Sequence, residues 1–248
     1  MDQITSNLAL YHAWVSSASR RVRFVLEEKQ LPYQGIVVDL LAFEQHSPEY
    51  LKLNPNGFVP TLVHDGLPII ESSVICEYLD EVFPSAPLRP SSARDRARMR
   101  VWSKWTDEVV IRAFQVANWN RMMAPTARQW SDEEVERRLK AVPVPDRRED
   151  WRRMAREPFS EAEISHAVAN IRRTLERMEL ELAKGPWLAG EMFSLADIHL
   201  SPYIVRIGEH AGRGIHLHDY PLSAGWWQRL SARPAFLRAR IEAVAFKD

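Results

Sequence analysis

Up to about position 84 the chain alternates short apolar runs with stretches of helical period; beyond it, apolar positions recur every three or four residues almost to the end. Leu8 to His12 is a short strand, and Ser19 to Lys29 a helix with Val22, Val25 and Leu26 on one face. Pro32 to Asp39 holds Ile36-Val37-Val38, a second strand. Pro48 to Leu53 is a short helix that stops before Pro55, because the residue ahead of a proline is pushed out of the helical region. Thr61–His64 and Leu67–Ile70 flank Asp65-Gly66, a pair suited to a tight hairpin turn. Ser72 to Phe83 is a helix with Ile75, Tyr78, Leu79 and Val82 on one face. Strands joined through a helix pair in parallel and hairpin strands antiparallel, so this order predicts a small mixed sheet with helices on both faces.

Pro84 to Ser92 is rich in Pro and Ser and forms a linker. One long helix is expected from about Ala93 to Met123, then two surface helices within 131–157 that break at Val142–Pro145. That stretch is densely charged, but Trp130, Leu139, Trp151 and Met154 give it something to bury, which argues against disorder. Glu161 to Lys184, Ser194 to Gly208, Pro221 to Leu230 and Pro234 to Val244 complete a bundle. The predicted fold class is α+β, with a mixed-sheet domain at 6–84, a linker at 85–93 and an all-helical domain at 94–245.

Composition narrows the function. Apolar residues make up 46% of the 248, enough for a substantial core. Lys plus Arg and Asp plus Glu are equal at 33 each, so no broad basic face points to nucleic acid or anionic lipid. No apolar run approaches the roughly 18 residues of a membrane span, and Met1 to Ala9 lacks the plan of a signal peptide. A cytoplasmic protein is expected. Cys76 is the only cysteine, so no intrachain disulfide forms; beside a core face it behaves as a small hydrophobe. The eight histidines show no metal-ligand spacing, His216-x-His218 being a lone pair, and no metal site is expected.

Three segments of the first domain converge on one binding chemistry. Trp14-Val15-Ser16-Ser17-Ala18-Ser19-Arg20-Arg21 is a strand-to-helix junction, where unpaired N–H groups and the helix dipole favour an anion such as a thiolate. Plain capping is the alternative for the serines. Arg20 and Arg21 suit a bound negative charge or, alternatively, a solvated surface. Asn54-Pro55-Asn56-Gly57-Phe58-Val59-Pro60-Thr61-Leu62 places Pro60 at a strand start; a cis Val59–Pro60 bond would turn the Val59 backbone outward as a pairing edge for a peptide, and an ordinary trans proline is the alternative. Glu71 and Ser72 open a helix that could receive a carboxylate while Glu71 receives an amine, with capping by Ser72 as the alternative.

Together these segments, with Phe193-Ser194-Leu195-Ala196-Asp197-Ile198, resemble the glutathione transferase family. The resemblance implies a thioredoxin-like, glutathione-binding first domain, a helical second domain, and a homodimer. Glutathione would pair its cysteine backbone with Val59, next to Pro60. Its γ-glutamyl end would meet Glu71 and Ser72, and its glycine carboxylate would lie toward Gln45 and His46. Family members often carry Gln where this chain has Phe58, so only a backbone contact is expected there. Ser16-Ser17-Ala18-Ser19 followed by Arg21-Val22-Arg23 resembles the zeta-class motif, with Ala18 in place of its cysteine.

A longer match runs through Phe43-Glu44-Gln45-His46-Ser47, Val74-Ile75-Cys76-Glu77-Tyr78-Leu79, Met99 to Glu108, and the charged stretch with Val142-Pro143-Val144-Pro145 and Trp151-Arg152-Arg153. It resembles the bacterial β-etherases of lignin breakdown, whose helix-start motif has Asn where Ala18 stands. The implied reaction is attack of glutathione thiolate on an aromatic electrophile, with β-aryl ether cleavage as its specific form. Ser17 is the first choice as hydrogen-bond donor to the thiolate; Ser16 fits the zeta pattern and Ser19 the etherase pattern. Trp14, Trp119, Met122 and Tyr203 are the candidates to line the aromatic site, with core packing as the alternative for each. A ligand-binding member without turnover and a maleylacetoacetate-type isomerase are the competing functions.

Overall fold

The computed structural model describes residues 7–241; residue 6 and residues 242–245 of the expected domain bounds lie outside the described residues. The first domain runs β1 (Leu8–His12), α1 (Ser17–Glu28), β2 (Gln34–Val37), α2 (Pro48–Leu51), β3 (Thr61–His64), β4 (Leu67–Ile70) and α3 (Ser72–Val82). The sheet order is β2-β1-β3-β4. β1 and β2 are parallel with Tyr11 opposite Ile36, and β1 and β3 antiparallel with Leu10 opposite Leu62. β3 and β4 form the expected hairpin. Leu10 and Leu62 are fully buried, as are Val22, Val25 and Leu26 of α1 and Ile75 and Leu79 of α3. Each such side chain contributes about 1.5–3 kcal/mol of apolar burial. Val82 departs from the predicted face and is exposed. Cys76 is buried among these side chains, and burial pushes its thiol up.

The second domain is helical: α4 (Ala93–Trp105), α5 (Ile111–Met122), α6 (Ala124–Ala127), α7 (Asp132–Ala141), α8 (Pro145–Arg156), α9 (Glu161–Leu182), α10 (Leu195–Ile204), α11 (Pro221–Ser231) and α12 (Pro234–Arg238). The long helix expected from Ala93 to Met123 is interrupted by a π turn at Thr106–Val110, which shifts the register between α4 and α5. The charged stretch forms two helices separated near Val142, with Pro145 opening α8 at the position where a missing N–H is harmless. They are more than surface helices. Leu139, Trp151 and Met154 are buried, Trp151 packs 4.7 Å from Phe43 between ring centroids, and Arg138 donates to the Leu41 carbonyl at 2.9 Å. Thus α7 and α8 close over the loop that precedes α2.

All ten residues of α10 are buried. Its start is held by Asp197, which accepts from the Ser194 N–H at 3.0 Å, the Leu188 N–H at 3.0 Å and Trp226 Nε1 at 2.8 Å. Among the described residues no helix is long and apolar enough to cross a membrane.

Burial holds several ionisable groups away from their usual range. Burial, then Arg23, lowers His12 to about 4, and burial with nearby arginines lowers His210 to about 4. Burial and then Arg21 lower His199 well below its ordinary value. Burial raises Asp197 to about 6 in spite of its hydrogen bonds. Between about 4 and 6.5 the unfolded chain binds more protons at these histidines than the folded one, so stability rises with pH there. His46, lowered to about 4, acts with them, and Asp197 acts in the opposite sense between about 4 and 6, one group against four. The thermal midpoint is therefore expected to be lower at pH 5 than at pH 7 in melts followed by circular dichroism.

Candidate active site between the two domains

The start of α1 presents its hydroxyls unequally. Ser16 is the N-cap, with extended backbone, and its Oγ accepts the Ser19 N–H at 3.1 Å. A hydroxyl has one hydrogen and two lone pairs, so this cap leaves the Ser16 hydrogen free to donate. Ser17 Oγ donates to the Pro202 carbonyl of α10 at 3.3 Å. Ser19 is fully buried, and its Oγ accepts the Ala13 N–H at 3.3 Å. Ser19 is therefore a turn-closing residue that does not line the cavity, contrary to the etherase-pattern expectation. The N–H groups of Ser17 and Ala18, in the first turn, have no intrahelical acceptor and stand at the cavity edge.

Two further backbone edges face the same space. The Val59–Pro60 bond is cis, and neither the N–H nor the carbonyl of Val59 has a partner among the described residues. Phe58 lends its carbonyl to Tyr50 and Asn54 and turns its ring to the cavity. At the head of α3, Glu71 adopts φ 68°, ψ 114°, a conformation uncommon for a side-chain-bearing residue that persists only where its surroundings enforce it. Ser72 Oγ does not cap the helix; it accepts from Arg21 at 3.2 Å. Gln45 and His46 lie on the floor. Gln45 Oε1 and both ring nitrogens of His46 are buried without partners among the described residues. Burial and then Arg147 lower His46 to about 4, so the ring is neutral at physiological pH. Gly57 has φ 65°, and a Cβ there would stand 2.4 Å from His46 Nδ1, so this close approach requires glycine.

These elements enclose a cavity of about 500 Å³ between the domains. Ser16, Ser17, Gln45, His46, Phe58, Val59, Pro60, Glu71 and Ser72 line one side. Trp119, Met122 and Tyr203 line the other, together with Phe114, Trp151 and Met154. Trp14 does not. Its ring packs edge-on against His12 and lies under the guanidinium groups of Arg23 and Arg240, directed away from the cavity.

The arginines of α1 are not solvated, although Arg20 Nη1 and Nη2, Arg21 Nη2 and Arg23 Nη2 are buried without partners among the described residues. Arg20, Arg21 and Arg23 are fully buried. Arg21 Nη1 reaches Asp107 Oδ1 at 2.5 Å, and its Nε donates to the His199 carbonyl at 3.0 Å, while the Tyr203 ring lies 5.3 Å from its guanidinium carbon. The negative charge that Arg21 answers is thus a carboxylate of the π turn. Sequence reasoning missed Asp107, and it missed Arg147, which enters the cavity from α8. The only signal for Arg147 was the mixing of tryptophans with charge in the 131–157 stretch.

Residues 15–82 match the model of the glutathione S-transferase N-terminal domain and residues 145–234 that of the C-terminal domain. The chain belongs to the glutathione S-transferase family. It is 37% identical to protein LigF of Sphingobium sp. strain SYK-6 over 92% of this chain and 91% of that one. The crystal structure of β-etherase LigF superposes with a TM-score of 0.87 at 36% identity, covering 94% of this chain and 98% of that one. Glutathione transferase F7 of Populus trichocarpa gives a TM-score of 0.75 at 27% identity, covering 96% and 100% of the two chains. A theta-class enzyme from Xanthomonas axonopodis pv. citri, solved with glutathione bound, gives 0.73 at 25% identity over 97% and 100%.

In this transferase the Arg21–Asp107 pair spans the domain boundary beneath the site. Asp107→Asn keeps the shape and removes the counter-charge of a fully buried guanidinium. With Asp107 itself about one-third exposed, the expected loss is about 2–3 kcal/mol of unfolding free energy, read as a lower denaturation midpoint in urea.

Proposed function

We propose that this transferase uses the thiolate of glutathione to cleave a β-aryl ether, releasing a phenolate. The observation that carries the proposal is the two-faced cavity: helix N–H groups, serine hydroxyls and unpaired peptide edges on one side, tryptophan, methionine and tyrosine on the other. The extended similarity to LigF supports the ether as the electrophile.

In this account the first domain holds the tripeptide. The free N–H and carbonyl of Val59 pair with its cysteine residue, the head of α3 with Glu71 and Ser72 takes the γ-glutamyl end, and Gln45 and His46 meet the glycine end. Ionisation of the thiol sends its proton to solvent. A free thiol has a pKa of about 8.5, and the N-terminus of α1 lowers it. Ser16 is assigned as the hydrogen-bond donor to the thiolate, in preference to Ser17, because the Ser17 hydrogen is directed to Pro202. The sulfur then attacks the side-chain carbon that bears the aryl ether, next to the ketone carbonyl. A C–S bond forms, the C–O bond breaks, and the aryl oxide leaves with the electron pair and takes a proton from solvent. The protein's contribution is proximity and a stabilised nucleophile. Trp119, Met122 and Tyr203 hold the aromatic groups.

The proposal includes domain bounds near 84 and 93 and a cytoplasmic homodimer. Val74 on α3 and Val101 on α4 are half exposed, and the Glu77–Arg100 pair joins the same two helices. These faces of α3 and α4 are the proposed seat of the second copy.

The direct assay is incubation with glutathione and a β-aryl ether ketone, with phenol release followed by chromatography; good turnover of other electrophiles without phenol release contradicts the ether assignment. Ser16→Ala is expected to lower kcat about 10²-fold, the scale of one lost transition-state donor, and to raise the pKa of bound glutathione in absorbance titrations. Ser17→Ala should do much less to both.

A further inference from the structure

Arg147 is a charge in the cavity with which no carboxylate pairs directly, although Asp146 and Asp150 line the same space. Its guanidinium carbon lies 4.2 Å from the centroid of Trp119, 5.9 Å from that of Phe58 and 6.0 Å from that of Trp151. Aromatic faces attract a cation, but they do not satisfy the in-plane N–H donors of a guanidinium. Among the described residues no carboxylate forms an ion pair with it. Asp150, one turn further along α8, has both oxygens at 2.8 Å from Arg112 Nη1. Burial, opposed by Asp150 and reinforced by Arg112, lowers Arg147 to about 10, which still leaves it charged at neutral pH.

Its place explains what it waits for. Phe58 precedes the Val59 edge, Trp119 belongs to the aromatic wall, and the charge of Arg147 is felt at His46. Arg147 therefore stands where the two halves of the cavity meet. It also lies in the first turn of α8, whose dipole adds to the positive field while the neighbouring Asp146 opposes it. A planar fork of donors without an ion-pair partner, in a partly dry corner between aromatic rings, matches a carboxylate, which it can hold through two parallel hydrogen bonds.

We infer that Arg147 is a carboxylate-binding residue of the cavity, pairing with an acid group on a bound ligand. The inference rests on the transferase reading for its ligands. The carboxylate comes from one of two sources: the glycine end of glutathione, or an acid substituent on the aromatic co-substrate.

The test compares wild type, Arg147→Gln and Arg147→Lys by isothermal titration with four probes: glutathione, its glycine monoethyl ester, 4-phenoxybenzoate and 4-phenoxybenzamide. Thermal melts check that each variant is folded. In Arg147→Gln, affinity for one acid should fall about tenfold or more while its ester or amide changes less than about twofold. Arg147→Lys should recover part of the loss, because it keeps the charge but not the fork. A selective loss for glutathione assigns the glycine carboxylate; a selective loss for the benzoate assigns the co-substrate. Equal losses for acid and neutral counterpart in both pairs, or no loss, overturn the inference. Wild-type protein that binds no glutathione would instead count against the transferase reading, with the benzoate and benzamide pair still deciding the role of Arg147.

Discussion

A guanidinium with no exposure to water holds the two domains in register. Arg21 leaves the second turn of α1 and meets Asp107 from the π turn, the His199 carbonyl from α10 and Ser72 at the head of α3. Burying a charge is costly, and pairing with hydrogen bonds offsets much of that cost. That pairing constrains the elements supplying its acceptors: α3 must begin where Ser72 can reach, the helix between Ala93 and Met122 must open at Thr106, and α10 must lie against α1. The cavity is the space left above this knot, so its walls inherit the same constraint.

The chemistry follows from which atoms the knot leaves free. Ser72 accepts from Arg21 and keeps its hydrogen to donate, so what α3 offers a ligand is that hydroxyl, its helix-end backbone and Glu71. Ser17 directs its hydrogen to α10, so what α1 offers a thiolate is the Ser16 hydroxyl and the N–H groups of the first turn. Opposite them, α5, α8 and α10 supply a wall of aromatic and apolar side chains interrupted by Gln115, Asn118, Asp146, Arg147 and Asp150. An ionised sulfur on one side and an aromatic ring on the other is the pairing this division favours.

Much of the fold was legible from the sequence because it rests on local signals. Alternating and helical periods located the strands and helices of the first domain, Asp65-Gly66 marked the hairpin, and Ser194 with Asp197 marked the start of the buried helix. What escaped depends on distant partners. The π turn has no distinctive composition, and it is the contact with Arg21 that accounts for Asp107 lying there. Arg20 and Arg21 look like surface charge until the helix that covers them is in place. Ser19 and Trp14 share the motif with Ser16 and Ser17, but rotation about the helix start sends one into the turn and the other outward. The charged stretch around α7 and α8 looked peripheral, because one sequence does not show that Trp151 and Arg147 fold back over Phe43 and Phe58.

The proposed chemistry requires the sulfur of glutathione at the start of α1 with its aromatic partner against the second domain. The most direct measurement is a crystal structure with S-benzylglutathione, a stable conjugate whose thioether stands where the thiolate would act. The account predicts sulfur within hydrogen-bonding reach of Ser16 Oγ, the peptide paired with Val59, and the benzyl ring against Trp119, Met122 and Tyr203. A conjugate bound with its sulfur away from the α1 start, or with its ring outside the inter-domain cavity, would contradict it.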